Sequence, residues 1–194
     1  MIANTTSSTA STMGLRTLEL GMGLLWLRKQ LINKLGPGAH SISLSGARTS
    51  KEQELLGISQ ILLVMFPFAI ELAIKSLWDC FHEHGTYDRR HDLHILFQSL
   101  HKNAMDVDAA VQAQKQARDL WLEFQSDKKI HHSGTLDDFL TVHAKDFVET
   151  RYYKLKPPEF LQIDDFALCF YCIIYPLAAH DNGTLLNLIS VHTA

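Results

Sequence analysis

Residues 50–84, "SKEQELLGISQILLVMFPFAIELAIKSLWDCFHEH", decide the fold. The middle of this stretch is apolar almost all round, which predicts a helix at the centre of a bundle and not on its surface. It carries Glu71, Lys75 and Pro67, so it does not meet the roughly 18 nearly uncharged residues that a membrane span asks for. Ser50, with Gln53 three residues on, offers a capping-box start. Pro67 removes one backbone hydrogen bond and predicts a kink or a new segment. Glu71, Lys75, Asp79 and His82 follow i, i+4, i+8 and i+11, a polar stripe on an apolar rod.

Working outward, residues 1–12 are rich in Ser and Thr and predict a disordered N-terminal arm, leaving 13–194 as one helical domain. A first helix is expected from about Met13 to Leu35, with Leu18, Met22, Leu25 and Ile32 on its apolar face. "GMG" at Gly21 to Gly23 is expected to be a close-packing contact within it. A third helix is expected after Asp88 as N-cap, with Leu93, Leu96, Phe97 and Leu100 as its core stripe. Residues 106–126 predict a fourth helix anchored by Val107, Val111, Leu120, Trp121 and Phe124. A fifth covers about 135–152, opened by Thr135 with Asp138 three residues on, and a last long helix covers about 159–180, with a short tail near 184–191. No run of period-2 alternation is long enough for a sheet, so the class is all-α, a single-domain bundle of five or six helices.

Composition excludes several classes of function. The net charge of −3 without a long run of one sign argues against broad electrostatic binding to nucleic acid, leaving local basic sites open. Three cysteines do not make a secreted disulfide framework, and the N-terminus lacks the pattern of a signal peptide. A cytoplasmic protein without a membrane partner is expected. "CFYC", Cys169 to Cys172, has redox spacing but lies in an apolar helical run, where core packing is the expected role. His131, His132 and His143 carry no recognisable spacing, and no phosphate-binding glycine loop is present.

The polar junction 82–101, "HEHGTYDRRHDLHILFQSLH", holds five histidines. Cys80, His82, His84, His91, His94 and His101 could ligate zinc, with the last three expected on one side of a helix. No compact ligand signature appears, so no metal and no other cofactor is expected. A second grouping is Glu71 with Lys75, His91 with Asp92, and Arg151 with Tyr152. A carboxylate in apolar sequence needs a partner; here the group forms either a structural network or a phosphate-binding pocket.

The succession "PFAIELAIKSL", "RRHDLHILFQSL", "FVETRYYKL" resembles the HEPN-like superfamily, the helical nucleotide-binding domains of higher eukaryotes and prokaryotes, over roughly residues 60–180. The resemblance implies a helical bundle, frequent dimerisation, and association with RNA cleavage, nucleotide transfer or defence. Active ribonucleases of that superfamily carry Arg, four to six residues, then His, and Arg89 to His94 matches that spacing. The implied chemistry is metal-independent: His94 moves a proton at the ribose while Arg89 or Arg90 holds the phosphate charge. On a helix begun at Asp88, Arg89 and His94 would stand about 140° apart, whereas Arg90 and His94 would share a face. The expected function is therefore action on, or association with, RNA or nucleotide as a homodimer. The alternative is a catalytically silent bundle serving as a protein-interaction or immunity module.

Overall fold

In a computed structural model, residues 7–35, 49–83, 91–127, 129–145 and 160–180 are described. Among them the chain forms six α-helices and no strand: α1 (Ser7–Leu35), α2 (Ser50–Phe81), α3 (Leu93–Ser99), α4 (Val107–Ser126), α5 (Leu136–Val142) and α6 (Phe160–His180). The fold is an all-α bundle. Arg89, Arg90, His84, Arg151, Tyr152 and the expected tail near 184–191 lie outside the described residues.

α2 occupies the centre. From Phe66 to Phe81 every residue is buried except Phe68, Leu72 and Cys80, which are half-buried. Contrary to the expectation drawn from Glu71, Lys75 and Pro67, it is by length and composition the one described helix apolar enough to cross a membrane, and half of its most apolar stretch is covered by the rest of the bundle. The helix runs through the buried Pro67 without starting a new segment there. Neighbouring helices enclose this segment, so burial outweighs the one missing hydrogen bond. The capping box sits one residue earlier than expected: Thr49 Oγ1 accepts from Glu52 N at 3.2 Å, and Glu52 Oε2 accepts from Thr49 N at 2.9 Å. Both registers satisfy the sequence pattern, but only the earlier one puts a charged carboxylate at the third position, where it accepts from the cap's own amide.

α1 and α6 flank α2, antiparallel to each other. Gly14 lies 3.6 Å (from an ideal Cβ) from Leu177 Cδ2, Gly21 lies under the Phe170 ring, and Arg28 Nε donates to Asp164 Oδ1 at 2.7 Å. The steps of seven residues along α1 keep one face on α6 over two turns at a time. α1 is also antiparallel to α2, with the Thr17 and Ser76 hydroxyls 3.1 Å apart at one end and Lys34 paired to Glu54 at the other. The helix begins at Ser7, inside the expected arm and ahead of the expected start at Met13. Each added residue gains a hydrogen bond, and the Ser and Thr penalty is under about 1 kcal/mol apiece.

The buried faces of two helices differ from those expected. On α1 the inward residues include Gly14, Thr17, Leu18, Gly21, Leu24 and Leu31, while Ile32 is exposed. On α4 they are Ala110, Ala113, Gln114, Ala117 and Trp121, whereas Val107 and Val111 are each 47% exposed. Small residues let backbones approach closely, so Gly and Ala mark the contact where a count of bulky residues points elsewhere. Leu120 and Phe124 pack only partly against the core.

The short helices are fixed by polar contacts. α3 is capped by Asp92, not Asp88, through Ile95 N at 2.9 Å. Its core stripe of Leu93, Leu96, Phe97 and Leu100 is fully buried, as expected. α5 opens with the expected capping box, Thr135 N donating to Asp138 Oδ2 at 2.8 Å and Asp138 N to Thr135 Oγ1 at 3.2 Å. The Thr135 hydroxyl, which donates to Asp138 Oδ2 at 2.7 Å, and then the Thr135 amide hold the Asp138 carboxyl below its ordinary value. α5 stops at Val142, ten residues short of its expected end. The Ala144 carbonyl just beyond accepts from Leu93 N at 3.2 Å, so it serves the start of α3 instead of extending α5. Asp137 ties α5 to two neighbours, accepting from Arg118 on α4 and from Gln98 on α3.

Candidate functional site

The polar stripe of α2 meets the segment before α3 at Glu71. The Glu71 side chain is buried among apolar residues, 2% exposed, and its Oε1 accepts from Lys75 Nζ at 2.6 Å. His91 Nδ1, twenty residues away in sequence, lies 2.9 Å from the same oxygen. The other oxygen, Oε2, is buried with no hydrogen-bond partner among the described residues. A carboxylate held by two nitrogens on one oxygen orients both partners, and the His91 ring stays 49% exposed while so held. The lysine comes with the i, i+4 spacing on the same helix. The histidine comes only through the fold, because Asp92 caps α3 and brings the residue before it over α2.

The remaining candidates are distributed. Asp92 spends its carboxylate on the α3 N-terminus. His94 is half-buried on α3 with no hydrogen bond or ion pair among the described residues. His91 and Asp92 are not helical and α3 begins at Leu93, so His94 does not lie on a helix begun at Asp88. His91 and His101 flank α3 without belonging to it, so they do not share a side of it with His94 either.

Two of the histidines considered as metal ligands, His82 and His101, have other roles. His82 stacks on Trp78 with ring centroids 3.7 Å apart, and its Nδ1 and Nε2 lie 3.1 and 2.9 Å from the carbonyls of Trp78 and Lys102. It fastens the end of α2 to the turn after α3. His101 Nδ1 lies 3.1 Å from Gln114 Oε1, and Gln114 in turn donates to the Phe97 carbonyl. No group of three or more His, Cys, Asp or Glu among the described residues is arranged to hold a metal ion. Cys169 and Cys172 are buried in α6. Burial, with smaller contributions from Cys172 and Asp165, pushes the Cys169 thiol well up, and burial raises Cys172 likewise. Both thiols stay protonated and unreactive.

Two features were not foreseen in the sequence. Asp165, buried on α6, accepts from His131 N at 2.8 Å and His132 N at 2.9 Å, fastening the loop between α4 and α5. Burial raises its carboxyl, with the two amides and the histidines opposing. The second is an open groove of about 1010 Å³ along α1, α4 and α6, lined among others by Trp26, Arg28, Lys29, Phe124, Lys129 and Tyr171. Trp26 is 60% exposed. Burial raises the Tyr171 phenol, with Tyr175, Cys172 and Glu123 adding to the effect, so its hydroxyl stays neutral. The signal in the sequence was a tryptophan beside Arg28 and Lys29 on the polar side of an amphipathic helix.

Set against known proteins, the chain matches no family model, no curated protein and no solved structure.

Proposed function

We propose that the chain is a HEPN-like helical domain that acts on, or in association with, RNA or a nucleotide, as a homodimer, with its phosphate contact at the junction of α2 and α3. The observation that carries this is the hydrogen bond between His91 and Glu71. Two parts of the resemblance, the glutamate of the core helix and the His-Asp-Leu that opens the next, meet there within 2.9 Å. A buried carboxylate that positions a half-exposed imidazole is the arrangement acid–base and anion-binding sites use to fix a ring. Cleavage by His94 with Arg89 or Arg90 is the more specific form of the proposal, in a toxin or defence setting.

The test is purified full-length chain with RNA in the presence of a chelator, reading retention and cutting separately. Retention weakened at least about tenfold by His91→Ala, a loss of about 1.4 kcal/mol, supports the junction as the contact. Cutting that survives His94→Ala removes that residue from the chemistry. RNA and nucleotides neither retained nor cut would remove the proposal as a whole.

A second reading, a catalytically silent protein-interaction or immunity module, is favoured by how the polar residues are used. Lys75 is bonded to Glu71 one turn away within α2 and Asp92 caps α3, so both are used in stabilising their own helices. Structural ion pairs of this kind need no ligand. The same assay separates the two readings.

A further inference from the structure

We propose that the groove along α1, α4 and α6 binds a segment of single-stranded RNA, its bases stacked on Trp26 and Tyr171 and its phosphates held by Lys29, Arg28 and Lys129. This rests on the reading that the chain meets RNA, and goes beyond it by naming a second contact surface and the form of the strand.

Charge is the first argument. The described residues that line the groove include three cations and no carboxylate, in a chain whose net charge is −3. A local excess of positive charge on an acidic protein selects anions. Lys29 has no carboxylate partner among the described residues. Arg28 and Lys129 do have partners, Asp164 at 2.7 Å and Asp127 at 3.3 Å, the first pair half-buried and the second exposed. An exposed pair is worth under about 1 kcal/mol, so a phosphate competes readily for Lys129, while Arg28 meets it from a half-buried pair.

The rings are the second argument. Trp26 leaves most of its indole in water, on the same face of α1 as Lys29 and Asn33, at i, i+3 and i+7. Across the groove, Tyr171 and Phe124 stand 5.6 Å apart between centroids, and Lys129 Nζ sits 5.6 Å above the Phe124 ring. Aromatic faces interleaved with cations suit a strand with unpaired bases, because every base has a face to stack while the phosphates follow the charges. A duplex keeps its bases stacked on one another and offers the rings nothing. The volume, about 1010 Å³, is at the upper end of what small-molecule pockets enclose, which suits a short oligonucleotide better than one mononucleotide.

The experiment uses the full chain and a fluorescent twelve-nucleotide RNA, 2′-O-methylated so that it resists cutting, either single-stranded or annealed to its complement. Anisotropy is read at several salt concentrations. The single strand is expected to bind at least about tenfold tighter than the duplex. With three phosphate contacts the slope of log affinity against log salt is expected near about −2, and Lys29→Glu should make it shallower by about 0.7 or more. Trp26→Ala should weaken binding about five- to a hundredfold, while Trp26→Phe keeps most of the affinity. Both positions are exposed, and circular dichroism checks that the variants fold; Lys29→Glu alone suffices should Trp26→Ala fail to.

Unchanged affinity in Trp26→Ala and Lys29→Glu overturns the groove yet leaves the RNA reading standing, more so when His91→Ala abolishes binding. Equal affinity for single strand and duplex overturns the stacking and with it the proposal. An acidic apolar peptide bound in the groove with no RNA retained anywhere on the chain overturns both.

Discussion

Replacing Gly21 with alanine puts a methyl group into the contact between α1 and α6. An ideal Cβ at Gly21 overlaps Cζ and Cε1 of Phe170 and lies 3.1 Å from Cε2. Phe170 is itself 1% exposed, so its ring has nowhere to go without moving α6. Overpacking of a close-packed core costs about 1–3 kcal/mol, and an overlap this deep belongs at the top of that range. The same substitution gains about 1 kcal/mol in helix propensity. The clash wins, leaving a net loss of about 2 kcal/mol. For a chain of this size that lowers Tm by about 4–8 °C. Two residues along the same helix, Gly23 is exposed and has nothing within 4 Å of its would-be Cβ. Gly23→Ala therefore keeps only the propensity gain and raises Tm by about 2–4 °C. Thermal and urea unfolding followed by circular dichroism compare the pair. Adding Phe170→Leu to Gly21→Ala should be less damaging than the sum of the single changes, because the two side chains compete for one space. Should Gly21→Ala stabilise the protein as Gly23→Ala does, α1 does not lie on Phe170, and the antiparallel α1–α6 register is wrong.

Three further outcomes follow from the interior. Glu71→Ala removes the buried carboxylate bonded to Lys75 and should cost about 3–5 kcal/mol in urea unfolding; Glu71→Met with Lys75→Leu should recover part of that loss. Asp165 has a folded-state value raised above the ordinary 3.8, so the folded protein holds its proton longer than the unfolded chain. Below 3.8 both states are protonated and the residue has no effect; as pH rises through the window above 3.8, wild type should lose stability relative to Asp165→Asn, read as the Tm difference between pH 3 and 7. Cys169 and Cys172 should resist iodoacetamide at pH 8 in the folded protein and react once it is unfolded, as mass spectrometry of the labelled peptides would show; labelling of either in the native state would contradict their burial.

Much of the candidate site was legible before folding, and the limit was physical. Glu71 and Lys75 are one turn apart on a helix whose apolar sequence already required burial, so their pairing was a local matter. That His91, and not another cation, would share the same oxygen depended on where α3 starts. Two aspartates competed for that cap, and the hydrogen bond to Ile95 N settled it on Asp92. The groove was less legible still, since Trp26 on α1 and Tyr171 on α6 are brought together by antiparallel packing alone.

What the sequence determined by itself was the all-α class, the central place of α2, the core stripe of α3, and the capping box of α5. Those follow from which side chains repeat at helical spacing, and water sorts them without reference to any other helix. The tertiary structure alone decided which way α1 and α4 turn. Their inward faces carry Gly14, Gly21, Ala110, Ala113 and Ala117, residues too small to register as hydrophobic anchors. Close packing rewards the approach of whole helices, so the face that wins is the one letting a partner such as Phe170 come nearest, even though Val107 and Val111 then remain in water.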